Sequence, residues 1–517
     1  MKQYKNNLVF PILLVITGIV ACYDKLEVTD ENNPTTESYF KTAVELQNGV
    51  NAVYSTLRSA QLVGREWFFT HDMRGSECAP GGAQLEAPRA ELLKQPSPAP
   101  SNSVMSDVWR GAYTMINRAN QVIVKAPGVT DNTALRDRIA GEAKFLRAWA
   151  YFELVSQWGE VPLYTEPVTS SLGFKGKSPV ADIYAVIVKD LTEAAVALPP
   201  NYGASDNGRA TKGAANALLG RVLMQKGDYT AAKTALMQVY GKYSLVNYIW
   251  NFDGDVKSDG GVTITAGHEF NAESIFEVVF LDKGDNNFNW GYNGEGSTSP
   301  LSTVRSQEYG ITWGNVIPSD KLLNEFEPND PRFKFTFYEQ GDNILTAPGA
   351  VDNVNNPPAV PPLKLTALAM NIGTSTKGGV VLKRFFRKNG IYEWVNSGFH
   401  PSGINQRLIR YADVLLMLAE CEAEAGTPAQ AAAYINEVRN REGVNMPPVT
   451  LASKNDALKA VMHERSVELA GESVNNIDIL RWRKKGYFPS LRPDPVPGQV
   501  DMLPIPASET STNPLLK

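Results

Sequence analysis

Aromatic side chains alternate with amides in one polar segment of the chain, and this combination of groups could bind a sugar. The segment GDNNFNWGYNGEGSTSP places Phe288, Trp290 and Tyr292 beside Asn289 and Asn293. Sugars present apolar C–H faces and hydroxyl rims, so they are bound by exposed rings that stack and by short polar side chains that hydrogen-bond. The rings have no helical spacing and lie among glycines and asparagines, which favours a loop. We predict these five residues as candidate ligand-binding groups.

Further aromatic residues extend this set of candidates. QEYGITWGN adds Tyr309 and Trp313, while IYEWVNSGFH and REWFFTHD contribute the weaker candidates Trp394 and Trp67. Tryptophan is highly buried on average, so an indole in such a segment could also fill a gap in the core. Both interpretations stay open for Trp290 and Trp313, and a buried role is favoured for Trp67.

Two patterns resemble metal sites but lack necessary ligands. NFDGDVKSDGG sets Asp253, Asp255 and Asp259 near glycines, yet Lys257 occupies a place where a calcium loop needs an oxygen ligand. MHERSVE begins like the zinc motif H-E-x-x-H, but Val467 stands where the second histidine must be. We therefore expect no metal and no cofactor.

Carboxylates are the groups that could support catalysis. Glu295 and Glu308 lie near the aromatic segments, and a glycoside hydrolase needs two carboxylates roughly 5 to 9.5 Å apart. A second acid/base set could come from four charged residues near the carboxyl end, although such residues on neighbouring helices more often form structural ion pairs: Glu464, Arg465, Glu468 and Arg481. The nucleophile and phosphate motifs G-x-S-x-G and G-x-x-x-x-G-K-[ST] do not occur. We expect a protein that is not an enzyme.

The amino terminus has the pattern of an export signal. Lys2 and Lys5 precede the apolar run LVFPILLVITGIVA, which is too short to span a bilayer and suits a signal-peptide core. The run ends at Cys22 in a context that resembles the bacterial lipoprotein cleavage box, in which the cysteine is acylated. The sequence predicts a signal peptide over 1–21 and a lipidated tether over 22–34.

The overall composition is that of a globular protein and excludes a nucleic-acid partner. The net charge is -5, and no block of six or more Lys or Arg residues occurs. After Cys22 only Cys78 and Cys421 remain, too few for a fold built on disulfides. We expect both to be thiols.

Apolar spacing indicates pairs of helices. NALLGRVLMQKGDYTAAKTALMQV has Gly220 and Ala232 twelve positions apart, and Ala419 and Ala431 repeat this step in LLMLAECEAEAGTPAQAAAYINEVR. Small residues at these places let two helices approach closely, as in tetratricopeptide repeats. Periodic segments predict a first helix whose apolar face begins at Phe40, and further helices in these regions: 106–157, 180–198 and 455–485.

Between these helices the pattern changes. Over about 244–405, ESIFEVVF alternates like a strand, and Gly, Asn, Ser and Thr dominate from Asp282 to Thr303. Residues 79–103 are rich in Pro, Gly and Ser and are predicted as a long exposed loop. We predict a helical scaffold over about 35–243 and 406–490, interrupted by a loop-rich insert with short strands.

Several segments in this order together resemble one known family: GEAKFLRAWAYFELVSQWGEVPLY, SPVADIYAVIVKDLTEAAVALP, GRATKGAANALLGRVLMQKGDYTAA, ESIFEVVF, IRYADVLLMLAECEAEAG, INEVRNREG and LPIPASETSTNP. The chain over 35–517 is similar to the SusD/RagB outer-membrane nutrient-binding lipoproteins. The resemblance implies a mostly α fold of four tetratricopeptide-like pairs with a loop-rich second face.

The resemblance also implies a function and partners. It implies a cell-surface lipoprotein anchored in the outer membrane, which captures an oligosaccharide or polysaccharide and passes it to a SusC-type TonB-dependent transporter. We expect the transporter to contact the helical face. The loop over 79–107 lacks the aromatic residues that starch binders of the family carry there, which leaves the glycan class open. Two alternatives remain: a glycoside hydrolase, or a binder of peptide-like cargo on the same fold.

Overall fold

The computed structural model describes ten parts of the chain: residues 39–81, 87–93, 96–252, 268–281, 302–309, 314–338, 376–377, 380–381, 385–386 and 403–517. The predicted signal peptide, the tether and Cys22 lie outside these parts. Within the described residues, no helix combines the length and the apolar composition needed to cross a bilayer.

The described chain is mostly helical, as the sequence predicts. The helices before the insert are α1 (Ala43–Leu57), α2 (Glu66–Asp72), α3 (Ala87–Glu91), α4 (Ser103–Lys125), α5 (Thr133–Trp158), α6 (Val180–Ala197), α7 (Lys212–Lys226) and α8 (Tyr229–Met237). The later helices are α9 (Arg305–Tyr309), α10 (Asp320–Leu323), α11 (Arg332–Thr336), α12 (Tyr411–Ala425), α13 (Pro428–Arg439), α14 (Lys454–Glu468), α15 (Asn475–Lys484) and α16 (Ala507–Thr512).

The strands are short and pair in twos. They are β1 (Cys78–Pro80), β2 (Ser274–Val278), β3 (Val316–Pro318), β4 (Phe337–Tyr338), β5 (Thr376–Lys377), β6 (Val380–Val381), β7 (Phe385–Phe386) and β8 (Gln406–Arg410). Antiparallel pairs join β1 with β3, β2 with β8, β4 with β7 and β5 with β6. The strand predicted from ESIFEVVF is β2, and its partner β8 leads directly into α12. The pair therefore joins a strand within the insert to the residues that follow its end.

The first helix begins later than its apolar pattern suggests. Thr42 and Glu45 form a reciprocal capping box that satisfies two backbone donors at the start of α1. Phe40 precedes this cap with φ 59°, so it lies outside the helix and not on its face as predicted. Its ring instead packs against Gly49, where an added Cβ would come within 2.5 Å of the ring.

The two predicted repeat pairs are present as α7 with α8 and as α12 with α13. In the first pair, Gly227 takes the left-handed φ of 90° that ends α7, and the Asp228 side chain caps α8. A Cβ built on Gly220 would lie 2.5 Å from Cγ and Cδ2 of Leu236, so the absent side chain lets the helices approach. In the second pair, Ala419 and Ala431 are fully buried.

The helices pack in chain order into one layered scaffold. Helix α1 packs on α4 and α5, α5 on α6, α6 on α7, and α8 on α12, which continues to α13 and α14. The predicted hairpin over 106–157 is α4 with α5. Residues 455–485 form two helices, because the chain turns between them through the left-handed residues Gly471 and Ser473.

The described parts of residues 79–103 are only partly the exposed loop that their composition suggests. They include the end of β1 and helix α3, and within them Arg89 and Leu92 are buried. A high content of proline and glycine indicates turns, but it does not show whether the segment packs against the core. Cys78 and Cys421 are buried and form no disulfide among the described residues. Burial raises the pKa of the Cys421 thiol.

A buried network of ion pairs connects the insert to the helices of the scaffold. The guanidinium of Arg410 donates to Glu472 from Nε (2.7 Å) and Nη2 (2.8 Å), and from Nη1 to Glu273 (2.8 Å) and Glu468 (2.6 Å). Arg441 also lies 3.0 Å from Glu273 and 2.8 Å from Glu468. Burial alone would raise the pKa of Glu468, but Arg441, Arg410 and Arg332 hold it at about 2.

The network extends to the segment that follows α10. Arg332 is fully buried, and it donates to Asp330 (2.7 Å), Glu464 (2.5 Å) and Glu468 (3.0 Å). Arg439 then connects Glu464 to Glu327. Each charge in this chain of contacts has a partner of opposite sign, as burial requires.

Candidate functional site

A small polar cavity lies where three parts of the insert leave or rejoin the described chain. The cavity has a volume of about 40 Å³ and is lined by Asn251, Phe252, Thr303, Arg305, Ser306, Ile404, Asn405, Gln406, Arg407 and Glu472. Phe252 is followed by the undescribed residues 253–267, and Thr303 follows shortly after the undescribed 282–301. Ile404 comes shortly after the undescribed 387–402. The segments predicted to carry Trp290, Tyr292 and Trp394 are thus attached around one cavity.

Arg305 contributes a buried, positively charged guanidinium beside this cavity. Its Nη2 donates to the carbonyl of Gly471 (2.6 Å) and to Ser473 Oγ (3.3 Å). Its Nε and Nη1 are buried without a hydrogen-bond partner among the described residues, and the same holds for Ser306 Oγ. Burial lowers the pKa of Arg305, and the charge of Asp72 opposes this shift. These buried donors have no hydrogen-bond partner among the described residues, and the cavity beside them has room for a water molecule or a ligand hydroxyl.

The structure does not support Tyr309 as a stacking group. The ring is fully buried, and it lies edge-on to Phe68 and Phe386 with centroids 5.5 Å away in both cases. The guanidinium of Arg305 lies 4.5 Å from the ring centroid. The ring of Tyr309 instead packs against the guanidinium of Arg305. Sequence reasoning missed Arg305, although its place four residues before Tyr309 would put the two side chains on one helical face.

Trp67 is also buried, which agrees with the buried role that the sequence favours and leaves its ring unavailable for stacking on a ligand. Its exposed fraction is 5%, and its ring packs between His71 (centroids 4.8 Å apart) and Trp149 (6.3 Å). The apolar neighbours of Trp67 in REWFFTHD explain this, since α2 is buried on all sides. The remaining candidates lie outside the described residues: Phe288, Asn289, Trp290, Tyr292, Asn293, Trp313 and Trp394.

The carboxylates weighed as acid/base groups are held in ion pairs wherever the structure describes them. Glu308 accepts from Arg65 (2.6 Å) and from Asn315 (2.6 Å) and is fully buried. Glu295 lies outside the described residues. Glu464 and Glu468 belong to the Arg332 and Arg410 network described above. These contacts favour the structural interpretation of the charged residues.

Arg465 and Arg481 form a second buried network that joins four helices. Arg465 donates to Asp413 (2.9 Å) and Asp478 (2.7 Å), and Arg481 donates to Asp478 (2.8 Å) and Glu420 (2.7 Å). Asp413 also binds Arg221 on α7. The partners lie on α7, α12, α14 and α15, so these residues stabilise the packing of the scaffold.

The histidine of the H-E-x-x-H-like motif lies between two carboxylates. His463 Nδ1 is 3.1 Å from Glu325, and its Nε2 is 3.1 Å from Glu327. Asp253, Asp255 and Asp259 lie outside the described residues, and among those described no cluster of three His, Cys, Asp or Glu side chains has the geometry to hold a metal ion. His463 acts here as an ion-pair partner.

The environment of His463 predicts a pH-dependent contribution to stability. Burial would lower the pKa of His463, but its hydrogen bond to Glu325 and the charges of Glu464, Glu325 and Glu327 raise it above the ordinary value. A raised pKa in the folded state gives stability that is present below about pH 6.5 and is lost as the pH rises through the folded-state pKa. His463→Gln should therefore cost about 1 kcal/mol at pH 6 and almost nothing at pH 9 in urea unfolding.

Arg492→Gln is the control for this measurement. Arg492 donates to the same Glu325 carboxylate at 2.7 Å, but its charge does not change between pH 6 and pH 9. Its removal should lower stability equally at both values. An equal loss at both values for His463→Gln would contradict the role assigned to the histidine charge.

The sequence and the fold both match known proteins. A model described as the SusD family matches residues 272–502, and one described as starch-binding associating with outer membrane matches residues 29–224. The chain belongs to the SusD/RagB family. The two matches together cover most of the chain between residues 29 and 502.

Individual relatives of this SusD/RagB protein match more than nine tenths of its length. SusD-like protein P2 of Formosa agariphila is 25% identical over 99% of this chain and 98% of its own. The crystal structure of a SusD superfamily protein from Bacteroides vulgatus has a TM-score of 0.69 and 22% identity, covering 93% of this chain and 99% of its own. Surface glycan-binding protein A from Bacteroides thetaiotaomicron, solved with laminarihexaose, has a TM-score of 0.68 and 20% identity, with coverage of 91% and 97%.

Proposed function

We propose that this protein is a cell-surface lipoprotein that binds an oligosaccharide and delivers it to a SusC-type TonB-dependent transporter in the outer membrane. The observation that carries the proposal is the cavity beside Arg305, which lies at the junction of three insert segments and is lined by polar side chains such as Asn251 and Asn405. Oligosaccharides have the hydroxyl groups that such side chains bind. The binding of laminarihexaose by a SusD-like structural relative supports the same class of ligand.

Retention at the membrane would depend on Cys22, which lies outside the described residues. An acylated Cys22 would hold the body at the outer membrane through the tether over 22–34. The description of the amino-terminal family model, which mentions association with the outer membrane, supports this location. The layered helices offer a broad rigid surface for the transporter.

In this proposal the protein binds the glycan without cleaving it. The described carboxylates near the insert, Glu308 among them, are engaged in buried ion pairs. Incubation of the protein with a glycan series should give binding without new reducing ends. Sustained release of shorter products would instead favour the glycoside hydrolase.

The aromatic candidates give a direct mutational test. Trp290→Ala and Trp313→Ala should each weaken oligosaccharide binding by about tenfold, because removal of a buried contact ring costs more than 1 kcal/mol at typical binding sites. Binding can be measured by isothermal titration calorimetry with an oligosaccharide chosen from a glycan array. Leu172→Ala, at an apolar side chain that is 97% exposed outside the insert, is the control.

The same variants separate sugar from peptide-like cargo. If the cargo lies on the repeat helices, both tryptophan variants should bind as the unmodified protein does. Unchanged affinity in both variants would thus contradict the aromatic site and favour the peptide-like alternative.

A further inference from the structure

A second cavity is lined by the other strand of the β2–β8 pair and contains an arginine that has no partner among the described residues. It has a volume of about 220 Å³ and lies between the end of α1, the loop before α7 and strand β2. Its polar lining includes Asn51, Ser55, Arg58, Ser205 and Asn207, and β2 supplies the opposite wall. The volume is of the order of a single sugar unit.

Arg58 is the residue that distinguishes this cavity. It follows the last turn of α1, and its guanidinium forms no ion pair or hydrogen bond among the described residues. The Nε atom is buried without an acceptor. Burial lowers the pKa of Arg58, and no carboxylate contributes to that shift. A half-buried cation without a counter-charge has lost hydration that no protein group replaces, so an anionic ligand would restore favourable contacts.

The carboxylates that line the same cavity already form ion pairs with other arginines. Asp206 accepts from Arg209 Nε at 2.6 Å. Glu277 lies 2.9 Å from Arg407 Nε and also accepts from Asn405 Nδ2 at 2.9 Å. Of the charged residues described around this cavity, Arg58 is therefore the one whose charge is not balanced.

The cavity is held in shape and lies next to the candidate sugar site. Gly208 has φ 91°, and a Cβ at this position would lie 2.3 Å from Val279 Cγ2, so the loop approaches β2 closely. Register pairs connect Glu277 with Arg407 and Val278 with Gln406. One member of each pair lines the Arg58 cavity, and the other lines the Arg305 cavity. Neighbouring strands are about 5 Å apart, so the β2–β8 pair forms a wall that the two cavities share.

We propose that the Arg58 cavity binds an anionic substituent of the glycan, either a carboxylate or a sulfate ester. This inference rests on the proposed function, since it assigns the substrate class of the same protein. The planar guanidinium matches both groups, because each offers two oxygens at the spacing of two N–H donors. The amides of Asn51 and Asn207 and the hydroxyl of Ser205 can complete the recognition of the sugar that carries the charge.

The test compares oligosaccharides of equal length and backbone in three forms: neutral, carboxylated and sulfated. Full-length protein in detergent is applied to an array of these probes, and dissociation constants are then measured by calorimetry. At least one charged form should bind more tightly than the neutral form. Arg58→Gln should reduce that preference by about 10- to 100-fold, as expected for loss of a charge-assisted hydrogen-bond pair, and should leave binding of the neutral form unchanged.

Lys226→Gln is the matched control. Lys226 lies in the last turn of α7, is exposed, and like Arg58 forms no ion pair within the described chain. The control removes the same charge at a helix carboxyl end, so it should leave the preference intact. Equal loss in both variants would overturn the assignment to Arg58. The melting temperature of Arg58→Gln should match that of the unmodified protein, because Arg58 makes no contact that the change removes.

The outcomes separate this inference from the proposed function. If neutral oligosaccharides bind and the charged forms bind no better, the anionic subsite is overturned while sugar binding stands. If no form binds, both are overturned. A preference for the sulfated over the carboxylated form, or the reverse, identifies which substituent the cavity takes.

Discussion

Replacement of Arg410 by methionine is expected to destabilise the protein by about 3–5 kcal/mol. Arg410 is 2% exposed, and its guanidinium contacts the carboxylates of Glu273, Glu468 and Glu472. Methionine fills similar space but removes the positive charge that balances these buried carboxylates. Leaving a buried charge unbalanced destabilises the folded state by more than the ion pair itself had stabilised it. The free energy of unfolding in urea at pH 7 measures the loss.

The control for Arg410→Met is an ion pair near the surface. Arg136 lies 2.7 Å from Asp137, whose side chain is 61% exposed, and Arg136→Met should cost less than about 1 kcal/mol. A similar loss for both variants would show that burial does not determine the cost.

The loss caused by Arg410→Met should also depend on pH. In the unmodified protein the pKa of Glu468 is about 2 and that of Glu273 is lowered, so their contribution is present above about pH 4.3 and is lost as the pH falls. Without Arg410, the pKa values of the neighbouring carboxylates should rise, and protonation would relieve the excess negative charge. The difference between variant and unmodified protein should therefore be smaller at pH 5 than at pH 7.

The second large effect is expected from Gly220→Leu. A glycine inside a helix normally costs about 1 kcal/mol relative to alanine, so a replacement here would be stabilising if space allowed. The Cβ alone would come within 2.5 Å of Leu236, which is fully buried, so the added side chain must force α7 and α8 apart. Overpacking of this kind should cost about 3 kcal/mol, measured by urea unfolding.

Two further variants check the cause of this loss. Leu236→Ala in the Gly220→Leu background should recover a large part of the stability, because it removes the atoms that clash. Gly128→Leu should have almost no effect, because nothing lies within 4 Å of the position of its Cβ. Failure of Leu236→Ala to recover any stability would contradict the close contact between α7 and α8.

The helical scaffold could be predicted from the sequence because its determinants are local. The twelve-residue step from Gly220 to Ala232, the break at Gly227 and the cap at Asp228 all lie within one hairpin. Apolar periodicity also predicted α4, α5 and α6. The start of α1 was predicted too early, because Phe40 continues the apolar spacing while the capping box begins at Thr42.

The candidate site was less predictable, because its described groups come from distant parts of the chain. Arg305, Asn405 and Asn251 meet only through the pairing of β2 with β8 and the packing of α9, and none of them stands in a motif. Composition also misled at residues 79–103 and at Tyr309, since polar and small neighbours indicate a loop but do not show whether it folds back onto the core. Ring exposure depends on tertiary contacts that a local pattern does not contain.

The antiparallel pairing of β2 with β8 has a consequence for how such proteins diversify. The register from Glu277 with Arg407 to Val278 with Gln406 brings the two ends of residues 279–405 side by side. Since the entropy of closing a loop rises only slowly with its length, this stretch can gain or lose residues at little cost to the helices, provided that the buried ion pairs of Glu308 and Arg332 are kept. The strand pair thus fixes the ends of a segment whose length and sequence can vary, and such variation would let related proteins bind different ligands on one helical scaffold.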